Sequence, residues 1–546
     1  MANVVYITFG FFRLIMTGLL QPNKNDGIFF QYYQCEVRWA PLAKATTDTC
    51  CLTLPLKLEK WHADRLEKRL EIARQIYNTL LRFELKKLHR LEESTEYIDI
   101  QNLLKETTDN VERNKLYKQL NKLRQDAGFS EYTFKADIKD FYKHFNNNIG
   151  SSVAVHGIAP QVWTAFDRLF YGSGKVVHFK KRGELTSLRG YSVAGKSGGV
   201  EIIFRGTYIE WKGLKLPIKL DPKNEYENEM LRQRIKYCRI IKKPGRSKNH
   251  WYVQLMLEGK PVIKVNKNTG ELLHPVGKGA VGIDIGPQTI AYVSEKEVAL
   301  KELADQINNI EQEKRVLQRK LDRSRRAMNP GNYEADGTIK RGVKLTRNKS
   351  KRYIKTQCEL AYLLRRQADI RKRQHNELAN HLLSLGDRFY VEDMEWPALA
   401  HRAKKTEISE KTGKFKRKKR FGKSIGNKAP STLIGLLDLK LKSRGLEGVM
   451  RVDTKVRASQ YNHLTDDYKK KELSERWNNM PDGRRIQRDL YSAFLLQHMN
   501  ETQTDFDKDA LIRDYEQFTV FHDQCIEELR RAPKTLASMG LVRRAS

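Results

Sequence analysis

The stretch Ala280 to Val293, AVGIDIGPQTIAYV, limits how this chain folds more tightly than any other, because it puts a carboxylate inside an otherwise apolar strand. Val281, Ile283 and Ile285 alternate with Gly282, Asp284 and Gly286. That period of two carries Asp284 on the strand face opposite the β-branched residues. A glycine on each side clears space around the acid. A carboxylate buried in a sheet is costly unless something compensates it, and in a phosphoryl-transfer site a divalent metal does so. Two readings of Asp284 therefore stand, a metal-binding acid and a strand-end Asp capping a turn at Gly286 and Pro287.

Two later stretches bear on that choice. In Arg388 to Trp396, RFYVEDMEW, residues Phe389, Tyr390 and Val391 form a short apolar run that ends at Glu392 and Asp393. This predicts a second buried strand with an acid at its end. Asp393 points to the opposite face from Glu392 in an extended stretch, so Glu392 is the better partner for Asp284. In Arg485 to Leu495, RIQRDLYSAFL, Asp489 precedes Leu490, Ala493 and Phe494 at helical spacing. It belongs in the first turn of a helix.

One acid in a central strand, one at a second strand's end and one on a late helix resemble the RuvC-type nucleases of the RNase H-like fold. VGIDIG, YVEDMEW and QRDLYSAFLL are similar, in that order, to the three split RuvC motifs of the transposon-encoded TnpB proteins. These are RNA-guided DNA endonucleases related to the type V CRISPR effectors. The resemblance implies that Asp284, Glu392 and Asp489 are catalytic and bind Mg²⁺ or Mn²⁺, two ions roughly 3.5 to 4 Å apart, and that the partners are a guide RNA and a double-stranded DNA target. It implies an α+β multidomain, bilobal chain, in which a helical recognition lobe is inserted in a β-rich wedge domain and an RNase H-like (RuvC) α/β nuclease domain follows. The boundaries expected are 1–50 for an extension with no assigned role, 51–58 for the first wedge strand, 59–175 for the recognition region and 176–270 for the wedge. The nuclease domain takes 276–500 and a helical tail 501–546.

Charge agrees with a polyanionic partner. The 546 residues hold 102 Lys and Arg against 66 Asp and Glu, a formal charge of +36. Such an excess neutralises phosphates and releases counterions, giving strong, salt-sensitive and largely sequence-independent binding. No separate basic amphipathic anchor points to a membrane, and Met1 to Leu20 lacks a basic leading region and is broken by Arg13. The six cysteines form no CxxC pair, which suggests neither a disulfide framework nor a zinc knuckle and fits a reducing cytoplasm, in association with the nucleoid.

Elsewhere the chain reads as follows. A strand at Leu52–Leu58 precedes a helix from Glu59 to about Glu93, striped by Leu66, Leu70, Ile76 and Leu80, with more helix to about Phe145 and from Ile158 to Phe170. Val176 to Arg182, VVHFKKR, has the composition of a strand with a solvated basic edge, and Phe179 and Lys180 are candidate nucleic-acid contacts. Short strands fill Gly199 to Glu258. Gly277, Gly279 and Gly282 spell GxGxxG, but a strand runs through the last of them, which excludes a dinucleotide fingerprint. Leu303, Ile307, Ile310, Leu317 and Leu321 predict a long helix over Ala299–Leu321, after which Arg323, Arg325 and Arg326 offer a phosphate-binding cluster or a solvated helix end. A second helix is expected over about Lys349–Leu385.

Residues 401–428 form a basic insertion read as a loop, with Lys416, Arg417, Lys418, Lys419 and Arg420 as further nucleic-acid candidates. Where most relatives carry a four-cysteine zinc ribbon, residues 393–488 contain no cysteine, so 456–482 is expected to be a non-zinc insertion without structural zinc. Three other classes stay open. A sugar-kinase or actin-like ATPase would need a second Asp-x-Gly turn that we do not find. A cut-and-paste transposase would use the same fold and acids, and a nuclease-silent RNA-guided binding protein would keep the guide without the cutting.

Overall fold

The computed structural model describes residues 47–541 apart from 173, 192–200, 267, 402–406, 410–412, 414–420, 473 and 534, and before residue 47 only the backbone of 2–9, 12–19 and 40–41. In Thr49–Pro55 the side chains of Cys50, Leu52 and Leu54 turn inward while Cys51 and Thr53 turn out. This strand pairs antiparallel with His250–Glu258, Leu52 opposite Leu255, and Ile235–Lys243 and Ser187–Tyr191 complete a four-stranded sheet. Between its first two strands in sequence the chain leaves the sheet as a run of helices that includes Lys60–Glu92, Thr95–Glu106, Asn110–Asp126 and Ala159–Phe170. Ser94 and Asp109 start the second and third by accepting from the amides of Tyr97 and Glu112. Leu54, Leu66, Ile76, Leu80, Phe166 and Val253 share one apolar core, which joins helices to sheet.

The C-terminal half is built on a five-stranded sheet. Its elements in chain order are β1 (Ala280–Ile285), β2 (Thr289–Val293), β3 (Val298–Glu302), α1 (Asn308–Met328), α2 (Lys351–Leu385), β4 (Arg388–Glu392), α3 (Pro430–Ser443), β5 (Met450–Val452), α4 (Arg488–Gln497) and α5 (Lys508–Arg531). The strand order is β3-β2-β1-β4-β5, with β2 antiparallel to both neighbours and β1, β4 and β5 parallel. The first three strands follow one another by tight turns. The parallel step from β3 to β4 needs a long crossover, which the α1–α2 hairpin supplies.

The period of two sorts the strands' residues onto two faces. Val281, Ile283, Ile290, Tyr292, Phe389 and Val391 pack against Leu382 and Leu383 of α2 and Leu433 and Leu437 of α3. The other face presents Ala291, Val293, Tyr390 and Val452 to Leu490, Ala493 and Phe494 of α4, and Phe518 and Ile526 of α5 join the same core. The segment after residue 500 is thus part of this half's interior. A side chain at Gly282 would collide with the Ala493 carbonyl and the Gln497 amide, so the glycine is what lets α4 lie directly on β1.

Three expectations change. Residues 299–304 are not the start of a helix. Val298 to Leu300 are buried in β3, which a turn at Ser294–Glu297 sets against β2, and Ala304, at φ +44°, breaks the path before α1 begins at Asn308. Val298 and Leu300 also fit a strand period, and the hairpin partner decides between the two. Val176–Arg182 is irregular rather than a strand, tied instead to the first long helix. The end of the 401–428 insertion is the helix Gly422–Lys428, anchored by buried Lys428, whose Nζ lies 2.8 Å from Glu302. Among the described residues no helix is long and apolar enough to cross a membrane.

The packing at Gly282 gives a prediction. Gly282→Val should lower stability by about 1–3 kcal/mol or more and disturb the α4 contact, read as a fall in thermal midpoint. An unchanged midpoint would contradict this account of the helix seat.

Candidate active site

Asp284 follows Ile283, which is level with Val391 in the parallel β1–β4 pair, so Asp284 stands beside Glu392 on the same sheet face as Gly282 and Tyr390. That face is the one covered by α4. The Gln487 side chain caps α4 by accepting from the Leu490 backbone amide at 2.8 Å, and the Gln487 backbone N–H donates to His522 Nε2 at 3.0 Å. The cap fixes where the helix starts and puts Asp489 in its first turn, where the helix dipole favours a negative charge. Ser492, one turn further on and buried, donates its hydroxyl to Asp284. Two strands and one helix therefore gather three carboxylates.

Burial raises the Asp284 carboxyl well above the ordinary carboxylate range, and the charges of Asp489 and Glu392 raise it further, against the Ser492 hydrogen bond and the Arg488 charge. Burial likewise raises Glu392. Asp489 leans on two arginines: Arg488 Nη2 is 3.4 Å and Arg476 Nη1 3.8 Å from its Oδ1. Asp393 turns away and pairs with Arg451 at 3.1 Å, and exposed Glu395 stays outside the group.

Donor chemistry suits a hard divalent cation, since the set is all carboxylate oxygen and crowded negative charge is what a cation relieves. Yet among the described residues no three His, Cys, Asp or Glu side chains are arranged closely enough to hold a metal ion. The acids are gathered without being closed into a ligand cluster. The reading of the sequence missed Ser492, Arg488 and Arg476. Ser492 was visible as the residue three after Asp489, on the same helical face. Arg476 reaches Asp489 only through the tertiary fold, in which the strands Trp477–Asn479 and Arg485–Gln487 pair just before α4.

The candidate nucleic-acid residues divide. Phe179 is half-exposed and lines a shallow groove with Arg82, Lys86 and His89. Lys180 is not a free contact: its Nζ bonds Gln161 at 3.0 Å and sits 4.4 Å from the centre of the Tyr77 ring, and burial lowers its pKa. Arg323 and Arg325 are exposed near the end of α1, Arg325 lying 3.7 Å from Asp322. Arg326 is engaged, bonding Asp322 and the Gly337 carbonyl and covering Tyr333. Residues Lys416, Arg417, Lys418, Lys419 and Arg420 lie outside the described residues.

No family model and no curated protein matches the chain. Among solved structures it is similar to the cryo-EM structure of a Cas12f1–sgRNA–target DNA complex, at 12% identity and TM-score 0.37, over 84% of this chain and 99% of that one. It is also similar to a CRISPR-Cas12f ternary complex, at 12% identity and TM-score 0.23, over 80% and 82% of the two chains.

Repulsion among the acids predicts a trade-off. A carboxyl that folding makes harder to ionise costs stability at any pH above its unfolded value. Asp284→Asn should therefore raise the thermal midpoint by a few degrees near neutral pH without divalent metal, a gain of roughly 0.5–2 kcal/mol. A lowered midpoint would mean the carboxylate is stabilising as it stands.

Proposed function

We propose that this protein is a divalent-metal-dependent DNA endonuclease of the TnpB type, directed by a guide RNA. The observation that carries the reading is the meeting of Asp284, Glu392 and Asp489 on one face of the β3-β2-β1-β4-β5 sheet, beneath α4. That mixed sheet supports assigning 276–500 to an RNase H-like domain, extended here by α5. The charge of +36 supplies the affinity for RNA and DNA, and 59–175 and 176–270 are the proposed recognition and wedge regions.

In this reading Asp284, Glu392 and Asp489 hold Mg²⁺ or Mn²⁺, which when bound provides Lewis-acid activation for hydrolysis of a phosphodiester. Ser492 orients the Asp284 carboxylate. Arg488 and Arg476 pair with Asp489, and in this reading a phosphate bound beside the acids competes with it for them. One observation favours a second reading. Because the acids are not closed into a ligand cluster and Asp489 is already paired with arginine, a guided binding protein without cleavage would carry the same structure.

The test is to purify the protein with its native locus, sequence the RNA that accompanies it and supply matching duplex DNA with Mg²⁺. Cleavage that stops on chelation, and in Asp284→Ala while RNA binding persists, is the expected result. Retained RNA with no cleavage by the wild type selects the guided binder. Undiminished cleavage by Asp284→Ala would sink the assignment of the acids.

A further inference from the structure

Far from the carboxylates in sequence, a cavity of about 510 Å³ opens between Thr95–Glu106, Asn110–Asp126 and the end of Ala159–Phe170. Its volume lies in the range of small-ligand sites, roughly 300–1,000 Å³. Arg124 lines it and is only 9% exposed. The guanidinium rests 4.5 Å from the centre of the Phe170 ring, and Nη1 donates to Asn121 Oδ1 at 3.3 Å. Its Nε is buried with no hydrogen-bond partner. A buried guanidinium with no counter-charge is costly, and an anion in the cavity would supply that charge.

The surroundings agree with that occupant. Arg113 is fixed at the cavity wall, Nη1 donating to the Leu104 and Thr107 carbonyls at 2.8 and 2.9 Å and Nη2 reaching the Tyr117 hydroxyl at 3.4 Å. Lys105 is exposed beside it and, among the described residues, bonds only Asn102. Among the described residues none of these three cations pairs with a carboxylate, and no acid lines the cavity. Tyr117 and Tyr171, 45% and 48% exposed, add aromatic faces. Cations alone would suit any anion, but planar cations beside exposed aromatic rings are the means by which proteins hold an unpaired nucleotide.

We infer that this cavity binds a nucleoside 5′-phosphate unit, its phosphate on Arg124, Arg113 and Lys105 and its base stacked on Tyr171. The site is independent of the carboxylates, and its readout involves no cleavage. The unit is either a free nucleotide or an unpaired nucleotide of a bound strand.

The test uses the full-length protein, freed of nucleic acid and titrated calorimetrically with AMP and separately with inorganic phosphate. Arg124→Met keeps the volume but not the guanidinium, and Tyr171→Ala changes an exposed ring that the fold does not need. We expect one AMP per chain, bound at least about tenfold more tightly than phosphate. Arg124→Met should weaken AMP binding about tenfold or more, and Tyr171→Ala severalfold. Displacement of AMP by a short single-stranded RNA would assign the cavity to a nucleotide of a bound strand. AMP retained against that RNA would assign it to free nucleotide, and either result supports the site. No AMP binding, phosphate binding as tight as AMP, or undiminished AMP binding in Tyr171→Ala would overturn it, the last even if Arg124→Met fails to fold.

Discussion

Helix α4 lies directly on β1 at Gly282, and the candidate site depends on that contact. Without a side chain at 282 the helix backbone meets the strand backbone, so the first two turns of α4 hang over Asp284 and bring Asp489 and Ser492 with them. The sheet supplies the remaining acid through the parallel β1–β4 pairing. Apolar residues on both faces stabilise this arrangement, and the cost falls on Asp284, which is half-buried among like charges. Storing unfavourable charge in a rigid frame is how a site is made ready for a cation.

Much of this was legible in the sequence, and what was not has physical causes. The strands carrying Asp284 and Glu392 and the helix carrying Asp489 follow from alternation and helical spacing, because each buries one apolar stripe. The long helix Lys351–Leu385 was likewise plain, with Ser350 capping its start. The error over Ala299–Leu321 arose because Val298 and Leu300 fit a strand period as well as the following leucines fit a helical one, and only pairing with β2 separates them. Arg476 could not be read as a neighbour of Asp489, since the pairing of Trp477–Asn479 with Arg485–Gln487 brings it there. Lys180 looked like a surface cation in VVHFKKR, but the long helix and Gln161 claim its backbone and ammonium. The strand order, too, lies beyond local pattern, because pairing across the α1–α2 hairpin is set by the whole core.

The excess of positive charge has more than one use. Some of it is structural, as in buried Lys428 against Glu302 and Arg326 against Tyr333. Some restrains the acids, as Arg488 and Arg476 do at Asp489. Exposed cations such as Arg323 are free of any such duty in the fold and suit a phosphate backbone. Arg124 belongs to none of these groups, being buried like a structural cation yet lacking the acid that would make it one. Partner, rather than number, distinguishes these roles.

The central claim is that the three acids form a divalent-cation site, and Mn²⁺ titration followed by electron paramagnetic resonance tests it most directly. The account predicts that free Mn²⁺ signal is lost stoichiometrically on adding protein, that excess Mg²⁺ restores it, and that a Glu392→Gln, Asp489→Asn double variant takes up little or none. Equal Mn²⁺ uptake by the double variant, or none by the wild type, would contradict it.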